Sequence, residues 1–472
     1  MNPTHSTPTP AIQTALASIQ APPLLVRSFL RNVERWRSGN LGTIPAAALE
    51  PIGRLPSFAD LPEPGPLAED AIRKTVVVKL NGGLGTSMGL ERAKSLIVAK
   101  NGLTFLDIIV RQIEFLRQRC RAPLPLLLMD SFSTDSDTLA SLAANHPSFA
   151  NPAPLPLSFL QHRVPKLDPD TGAPVTFPSN PALEWCPPGH ADIYLALQTS
   201  GILDRLLDAG YRYAFVSNAD NLGALLHMGI LEAFAARRLP FWMEVTRRTE
   251  VDRKGGHLAR DAASHRLLLR ESAQCPPGET ADFQDIAKYD LFNTNNLWVN
   301  LESLRALLDA SGGLPDLPLI VNRKTVDPTD PSSPPCVQLE AAMGAAISAF
   351  DGASALVVPR FRFAPVKTTN DLLAIRSDLY AIGPEHQVAL RPDRFSPPPE
   401  IRLDPRYYKN IADFEARFPH GAPSMLQCDS LTVEGDITFG PRNILAGRVR
   451  LRNPTSTPAT TPPNALIHTP LA

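Results

Sequence analysis

Thr75-Val-Val-Val-Lys-Leu80-Asn-Gly-Gly-Leu-Gly85-Thr-Ser-Met-Gly89 is where the character of this 472-residue chain declares itself. Its first six residues form a β-branched run of strand length, and four glycines follow at once: Gly82, Gly83, Gly85 and Gly89. A plain strand-to-helix turn needs one glycine or two. Four of them allow positive φ and bring backbone N–H groups close to a polyanion. The stretch therefore predicts a buried strand ending in a phosphate cradle.

Downstream, Thr104 to Arg119 carries Leu106, Ile109, Ile113 and Leu116 at helical spacing, with Thr104 as a cap and Asp107 three residues on. Pro125–Met129, Leu155–Leu160, Tyr211–Val216 and Phe241–Val245 are expected as strands; Ala191–Leu207, Leu222–Ala236 and Gln338–Phe350 are expected as helices. Strands alternating with helices of this length predict an α/β fold with a mixed, mostly parallel sheet covered on both faces. Upstream, the first dozen residues are polar and proline-rich, hence expected to be disordered, and Ala11 to Trp36 reads as helical. After about Tyr380 the pattern weakens into short-period alternation, Leu431–Gly440 and Ile444–Val449, with glycines at the corners. This predicts one or two coils of a β-solenoid.

Bulk composition narrows the function. The formal net charge is −1, and Lys and Arg are not concentrated anywhere, which argues against general nucleic-acid binding. The five cysteines lie far apart with no Cys/His cluster, so neither a disulfide framework nor a structural zinc site is expected. No apolar run reaches membrane-spanning length, and the start has no signal-peptide pattern, so a soluble cytoplasmic protein is expected. The 49 prolines gather in connectors such as 147–156, 327–335 and 454–463, marking breaks in chain order.

Several stretches carry chemistry. Gly89-Leu-Glu-Arg-Ala-Lys94-Ser95 mimics a P-loop signature, but Ala93 stands where that motif needs glycine and the glycine cluster lies upstream. Lys94 is instead read as a cation held over a polyphosphate by the loop, although a lone lysine is usually a solvated charge. Trp185-Cys-Pro-Pro-Gly-His190-Ala-Asp192 sets a proline turn before a helical run, suited to a phosphate or sugar hydroxyl; alone, His190 is equally a capping residue. Phe215-Val-Ser-Asn218-Ala-Asp220-Asn221 ends a strand with a carboxylate, where α/β sheets hold ligands and where Mg²⁺ takes one carboxylate plus substrate oxygens; a bare Asp there is more often a helix cap. Phe292-Asn293-Thr-Asn295-Asn-Leu-Trp298 is expected as an amide-rich turn able to bind hydroxyls through Asn293 and Asn295, and Pro365-Val-Lys367-Thr-Thr-Asn-Asp371 supplies a second lysine. Cys186, beside that proline turn, is more readily an inert buried thiol than a redox centre.

Together, LNGGLGTSMG, AKS, WCPPGHAD, FVSNADNLGA, MEVTRRTEVDRKGG, FNTNNLW and APVKTTNDLL, in this order, resemble the eukaryotic-type UTP–glucose-1-phosphate uridylyltransferase family from about Lys79 to Tyr380, and faintly to Val449. The resemblance implies a Rossmann-like nucleotidyltransferase core followed by a short left-handed β-helix-like domain. Boundaries are expected at 1–60 (helical, partly disordered), 61–383 (catalytic), 384–453 (β-helix-like) and 454–472 (flexible tail). It implies Leu80, Asn81, Gly82 and Gly83 as the nucleotide loop, Lys94 and Lys367 on the phosphates, and Gln161 on uracil. It also implies Gly189 and His190 around nucleotide and sugar phosphate, Asn218 on the sugar and Asp220 on Mg²⁺.

UTP, glucose 1-phosphate, UDP-glucose and pyrophosphate are the implied partners, joined by direct in-line transfer without a protein nucleophile. The chain departs from the family pattern at Ala191, where glycine is usual, at Arg92-Ala-Lys94, where GPK is frequent, and in a shortened C-terminal region. That last departure leaves monomer or weak homo-oligomer as the expectation. Rival readings are a pyrophosphorylase for other sugars, such as N-acetylglucosamine 1-phosphate, and a catalytically silent nucleotide-sugar-binding protein.

Overall fold

Thr75–Leu80 is a strand buried along its length, as β-branched residues with apolar neighbours on both sides require. It sits at the heart of a computed structural model that describes residues 8–85, 88–90, 92–394 and 397–468. The central sheet has ten strands, labelled here in chain order. They are β1 Leu49–Glu50, β2 Thr75–Leu80, β3 Leu126–Asp130, β4 Ser158–Leu160, β5 Tyr213–Asn218, β6 Phe241–Arg247, β7 His257–Asp261, β8 Leu267–Arg270, β9 Leu291–Asn300 and β10 Ser354–Val357. Along the sheet the order is β1-β7-β9-β5-β2-β3-β4; β6 joins β9 to β10, and β8 borders β7.

Strands β5, β2, β3 and β4 run parallel, and β9 runs antiparallel against both β5 and β6. Both faces are covered. Val77, Leu126, Leu128 and Phe215 join one apolar cluster, whereas Val76, Val78, Leu127 and Val216 join the other. Register fixes what meets at the carboxyl edge: Leu80 lies opposite Met129 on one side and Asn218 on the other. The glycine loop and the Asn218–Asp220 segment therefore leave the sheet side by side.

The helix Phe105–Cys120 begins at a reciprocal cap, in which Thr104 Oγ1 accepts from the Asp107 amide at 3.0 Å and Asp107 accepts from the Thr104 amide at 2.9 Å. Four expectations need correction. Ala11–Trp36 is two helices, Thr9–Ser18 and Pro23–Arg37, divided at Pro22-Pro23; described chain from Thr9 is thus helical rather than disordered, and residues 1–7 lie outside the described residues. Ala191–Leu207 is likewise two helices, Asp192–Thr199 and Ile202–Asp208, broken at Gly201 with φ +70°. The helix expected over Leu222–Ala236 begins only at Met228.

Gln338–Phe350 is not a helix. Pro335–Glu340 pairs as a strand with Ile320–Thr325, and Met343–Ser348 is a 3₁₀ turn.

Beyond residue 383, Glu400–Leu403, Ser424–Glu434, Ile444–Arg452 and Leu466–Ile467 lie side by side in parallel, and Ile437–Thr438 pairs with Ala459–Thr460. Met425, Leu431, Val433, Phe439 and Leu445 are buried inside and continue the apolar cluster of the sheet. The stretch expected as a loose Thr/Pro tail is therefore partly ordered: its two short strands complete these ladders, and Asn443 Nδ2 donates to the Pro462 carbonyl at 2.7 Å.

Candidate active site

The glycine loop leaves β2 through Asn81, whose buried side chain is held beneath the loop through its Nδ2. Its Nδ2 donates to Asp130 Oδ1 at 2.6 Å and to Thr138 Oγ1 at 3.0 Å. The loop then returns on itself, with a bridge between Leu84 and Ala93 and the Lys94 amide donating to the Gly83 carbonyl at 3.2 Å. Thr86, Ser87 and Glu91 lie outside the described residues. Side-chain tips crowd this loop. A Cβ on Gly82 would stand 2.8 Å from Gln161 Oε1, and one on Gly85 would meet Leu90 at 2.4 Å. Below, burial pushes the Asp130 carboxyl up to about 7, and its Oδ2 is buried with no hydrogen-bond partner among the described residues.

Lys94 and Asp220, 126 residues apart, meet at the carboxyl edge, with Nζ 2.6 Å from Oδ2. The other carboxylate oxygen, Oδ1, is buried and has no hydrogen-bond partner among the described residues. An orphaned carboxylate oxygen is costly unless a ligand engages it. Among the described residues no group of three or more His, Cys, Asp or Glu is gathered as a protein-caged metal needs. Asp220 is thus suited to Mg²⁺, which binds through one or two carboxylates and takes its other ligands from water and phosphate.

Opposite the loop, Gln161 is buried, and its Nε2 donates to the Gly189 carbonyl at 2.9 Å. Gly189 has φ +86°, and a Cβ there would lie 2.5 Å from the Ala341 carbonyl oxygen, so the turn tolerates glycine alone. His190 Nδ1 accepts the Met343 amide at 2.9 Å, which assigns the ring proton to Nε2, and burial pushes its pKa down to about 4. His190 is a neutral imidazole with one N–H to offer. Ala191 donates its amide to the Ala341 carbonyl at 3.0 Å, so alanine replaces the usual glycine without loosening the turn.

The Asn-rich stretch is a bulge within β9 rather than a turn. Glu244 pairs with Asn296 and Val245 with Asn293, leaving Thr294 and Asn295 extra, with Asn295 at φ +58°. Asn293 Nδ2 donates to Asn295 Oδ1, and the Asn295 amide donates to Asn293 Oδ1, both at 2.9 Å. The two are therefore locked together. Lys367 is exposed at the start of the helix Thr369–Arg376, and its charge reaches Glu271, opposing the burial that raises that carboxyl. Its segment is tied to the acid: the Val366 amide donates to the Asp220 carbonyl at 3.1 Å.

The family model described as UTP--glucose-1-phosphate uridylyltransferase matches residues 28–446. The chain belongs to this family. It is 42% identical over 410 residues to the UTP--glucose-1-phosphate uridylyltransferase of Solanum tuberosum, covering 85% of this chain and 83% of the relative. It is 42% identical to the Saccharomyces cerevisiae protein of the same name, over 80% of this chain and 74% of that one. A crystal structure of a mutant UDP-glucose pyrophosphorylase from Leishmania major in complex with UDP-glucose superposes with TM-score 0.91 and 44% identity, covering 98% of both chains. A Trypanosoma brucei UDP-glucose phosphorylase structure gives 0.89 and 42%, covering 97% of this chain and 99% of that one.

In this family member the site also rests on residues that the motifs left unmarked. Glu244 and Arg362 form a buried bidentate ion pair, both contacts 2.7 Å. Trp298 Nε1 and Asn296 Nδ2 each donate to Glu244 at 3.0 Å, and Arg362 donates to the Leu225 carbonyl at 2.9 Å. Lys79, beneath the loop, donates to Ser217 Oγ and the Ala224 carbonyl at 2.8 Å, and burial pushes its ammonium down to about 7.

Proposed function

We propose that this chain transfers UMP from UTP to glucose 1-phosphate, releasing pyrophosphate and UDP-glucose, by direct in-line displacement in the cytoplasm. The family relation supports the reaction. The observation that carries the assignment of residues is the meeting of Lys94 with the half-unpartnered carboxylate of Asp220 at the mouth of the glycine loop.

An ionised oxygen of glucose 1-phosphate forms a bond to the α-phosphorus of UTP, and the bond from that phosphorus to the β-phosphate bridge breaks. Pyrophosphate departs with the electron pair. The attacking oxygen is already an anion, so no base is needed, and the barrier the protein can lower is repulsion and misalignment. Backbone N–H groups of Gly82 and Gly83 hold the nucleotide, Lys94 and Lys367 neutralise phosphate charge, and Gln161 beside Gly189 holds uracil. Neutral His190 donates through Nε2–H, with Asn218, Asn293 and Asn295 on the sugar side. Asp220 would hold Mg²⁺, whose contribution when bound is to polarise and neutralise phosphate oxygens.

The C-terminal ladders are in keeping with short β-helix-like coils, and among the described residues no helix is long and apolar enough to cross a membrane. A pyrophosphate-release assay with UTP, magnesium and a panel of sugar 1-phosphates tests the function; release with glucose 1-phosphate above the other sugars is expected. Lys94→Ala and Lys367→Ala should each lower turnover about 10²-fold or more, by analogy with loss of one oxyanion donor. Near-normal turnover of either variant removes that lysine from the mechanism.

A further inference from the structure

We propose that Asn221 is a positioning residue for the reaction: its side chain splices the segment bearing Lys367 to the segment bearing Asp220, and so sets where the Lys367 ammonium stands. This rests on the role given above to Lys367. Asn221 is buried, and all of its amide's directions are used. Oδ1 accepts the Ala364 amide at 3.0 Å and the Gly223 amide at 3.2 Å; Nδ2 donates to the Arg362 carbonyl at 3.1 Å and to Asn296 Oδ1 at 3.3 Å. Its backbone bridges Pro365, and the neighbouring Asp220 carbonyl takes the Val366 amide.

The two strings of chain are pressed together so tightly that a Cβ on Gly223 would stand 2.3 Å from the Phe361 carbonyl oxygen. Three of the four amide bonds thus fall on residues 362–364 and on the turn just after Asp220, with Lys367 three residues beyond Ala364. A cap would need only one of these bonds. Four converging on one buried amide make a fixed splice. Without it, the 363–367 stretch keeps its backbone bonds, the Phe363–Phe292 ring contact and the Lys367 amide's bond to Asp371 but loses the side-chain tie to the Asp220 segment, and Lys367 shifts from the placement that a transferring phosphate demands; a misplacement near 1 Å costs up to about 10²-fold.

A double-mutant cycle on turnover tests this. Asn221→Ala is expected to lower kcat about 10- to 100-fold with the KM for UTP changed far less. In a Lys367→Ala background the same change should cost no more than about twofold, because an absent ammonium cannot be misplaced. The full loss persisting in that background would show a merely structural role and overturn the proposal, as would a kcat for Asn221→Ala within about twofold of the parent. Near-normal turnover of Lys367→Ala alone would instead sink the role of Lys367, and this inference with it. Should Asn221→Ala fail to fold, the cycle is run with Asn221→Asp, which keeps both accepted bonds and drops the two donated ones.

Discussion

Asp130 shows how one residue links the glycine loop to pH. It anchors Asn81, and burial raises its carboxyl to about 7. Between the ordinary carboxylate range and that value, the folded chain keeps a proton that the unfolded chain has released. The folded state then binds more protons, so this group's contribution to stability declines as pH rises through the window. Asp130→Asn should abolish that contribution: the difference in thermal midpoint between parent and variant is expected to change steadily from about pH 4 to about pH 7 and to level off above. A flat difference would mean the carboxyl is ionised throughout.

Gly82 gives the second prediction at this scale. Gly82→Ala drives a methyl against Gln161, so steady-state kinetics should show the KM for UTP rising about tenfold or more with a smaller change in kcat. Lys94, Asp220 and His190 stood out by their neighbours in sequence and Gln161 only by the family resemblance; the structure brings Lys94 to Asp220 and Gln161 to Gly189. The direction of each side chain was not legible in the sequence. Asn81 sits in the loop motif yet points its amide at Asp130, a partner 49 residues away.

Among elements, legibility followed burial of a regular face. The strand at 75–80 and the capped helix at 105–120 draw their signals from contiguous residues, and both were read near their true limits. Residues 338–350 misled because Ala341-Ala-Met-Gly-Ala-Ala favours helix in isolation. Its backbone is instead claimed by the Gly189–His190 turn: the Ala341 amide donates to the Pro188 carbonyl at 3.1 Å and the Met343 amide to His190. Tertiary hydrogen bonds override propensity there.

The pairing of Glu244 with Arg362 was invisible for a related reason, since it joins β6 to a turn 118 residues on and no local pattern links the two. Glu244→Ala leaves a guanidinium buried without its partner. A loss of about 3–5 kcal/mol is expected in chemical denaturation. Replacing both by apolar residues should cost less than either single change, and the comparison separates the pair from its neighbours.

At the scale of the whole molecule, the sheet and the C-terminal parallel strands share one apolar cluster, so the far end of the chain bears on the stability of the central sheet. Ending the chain after Asn453 removes two strands and leaves buried Asn443 without the Pro462 carbonyl. Calorimetry should record a lower transition temperature, and hydrogen exchange should speed up first along 444–452. An unchanged transition would make the terminal strands ornamental. Strands at 424–434 and 444–452 were legible from glycine corners and alternation, but the pairing of the last strands was not, because Thr and Pro outweigh Leu466 and Ile467 in any local window.

The span of 118 residues between Glu244 and Arg362 has a consequence for biosynthesis. While the ribosome is still short of codon 362, the nascent polypeptide already carries the glycine loop, Asp220 and Gln161, yet its central glutamate has no counter-ion to be shut in with. Maturation of the sheet must therefore wait for the last third of translation, and stalled chains released just before that arginine should be digested far faster than those released just after it.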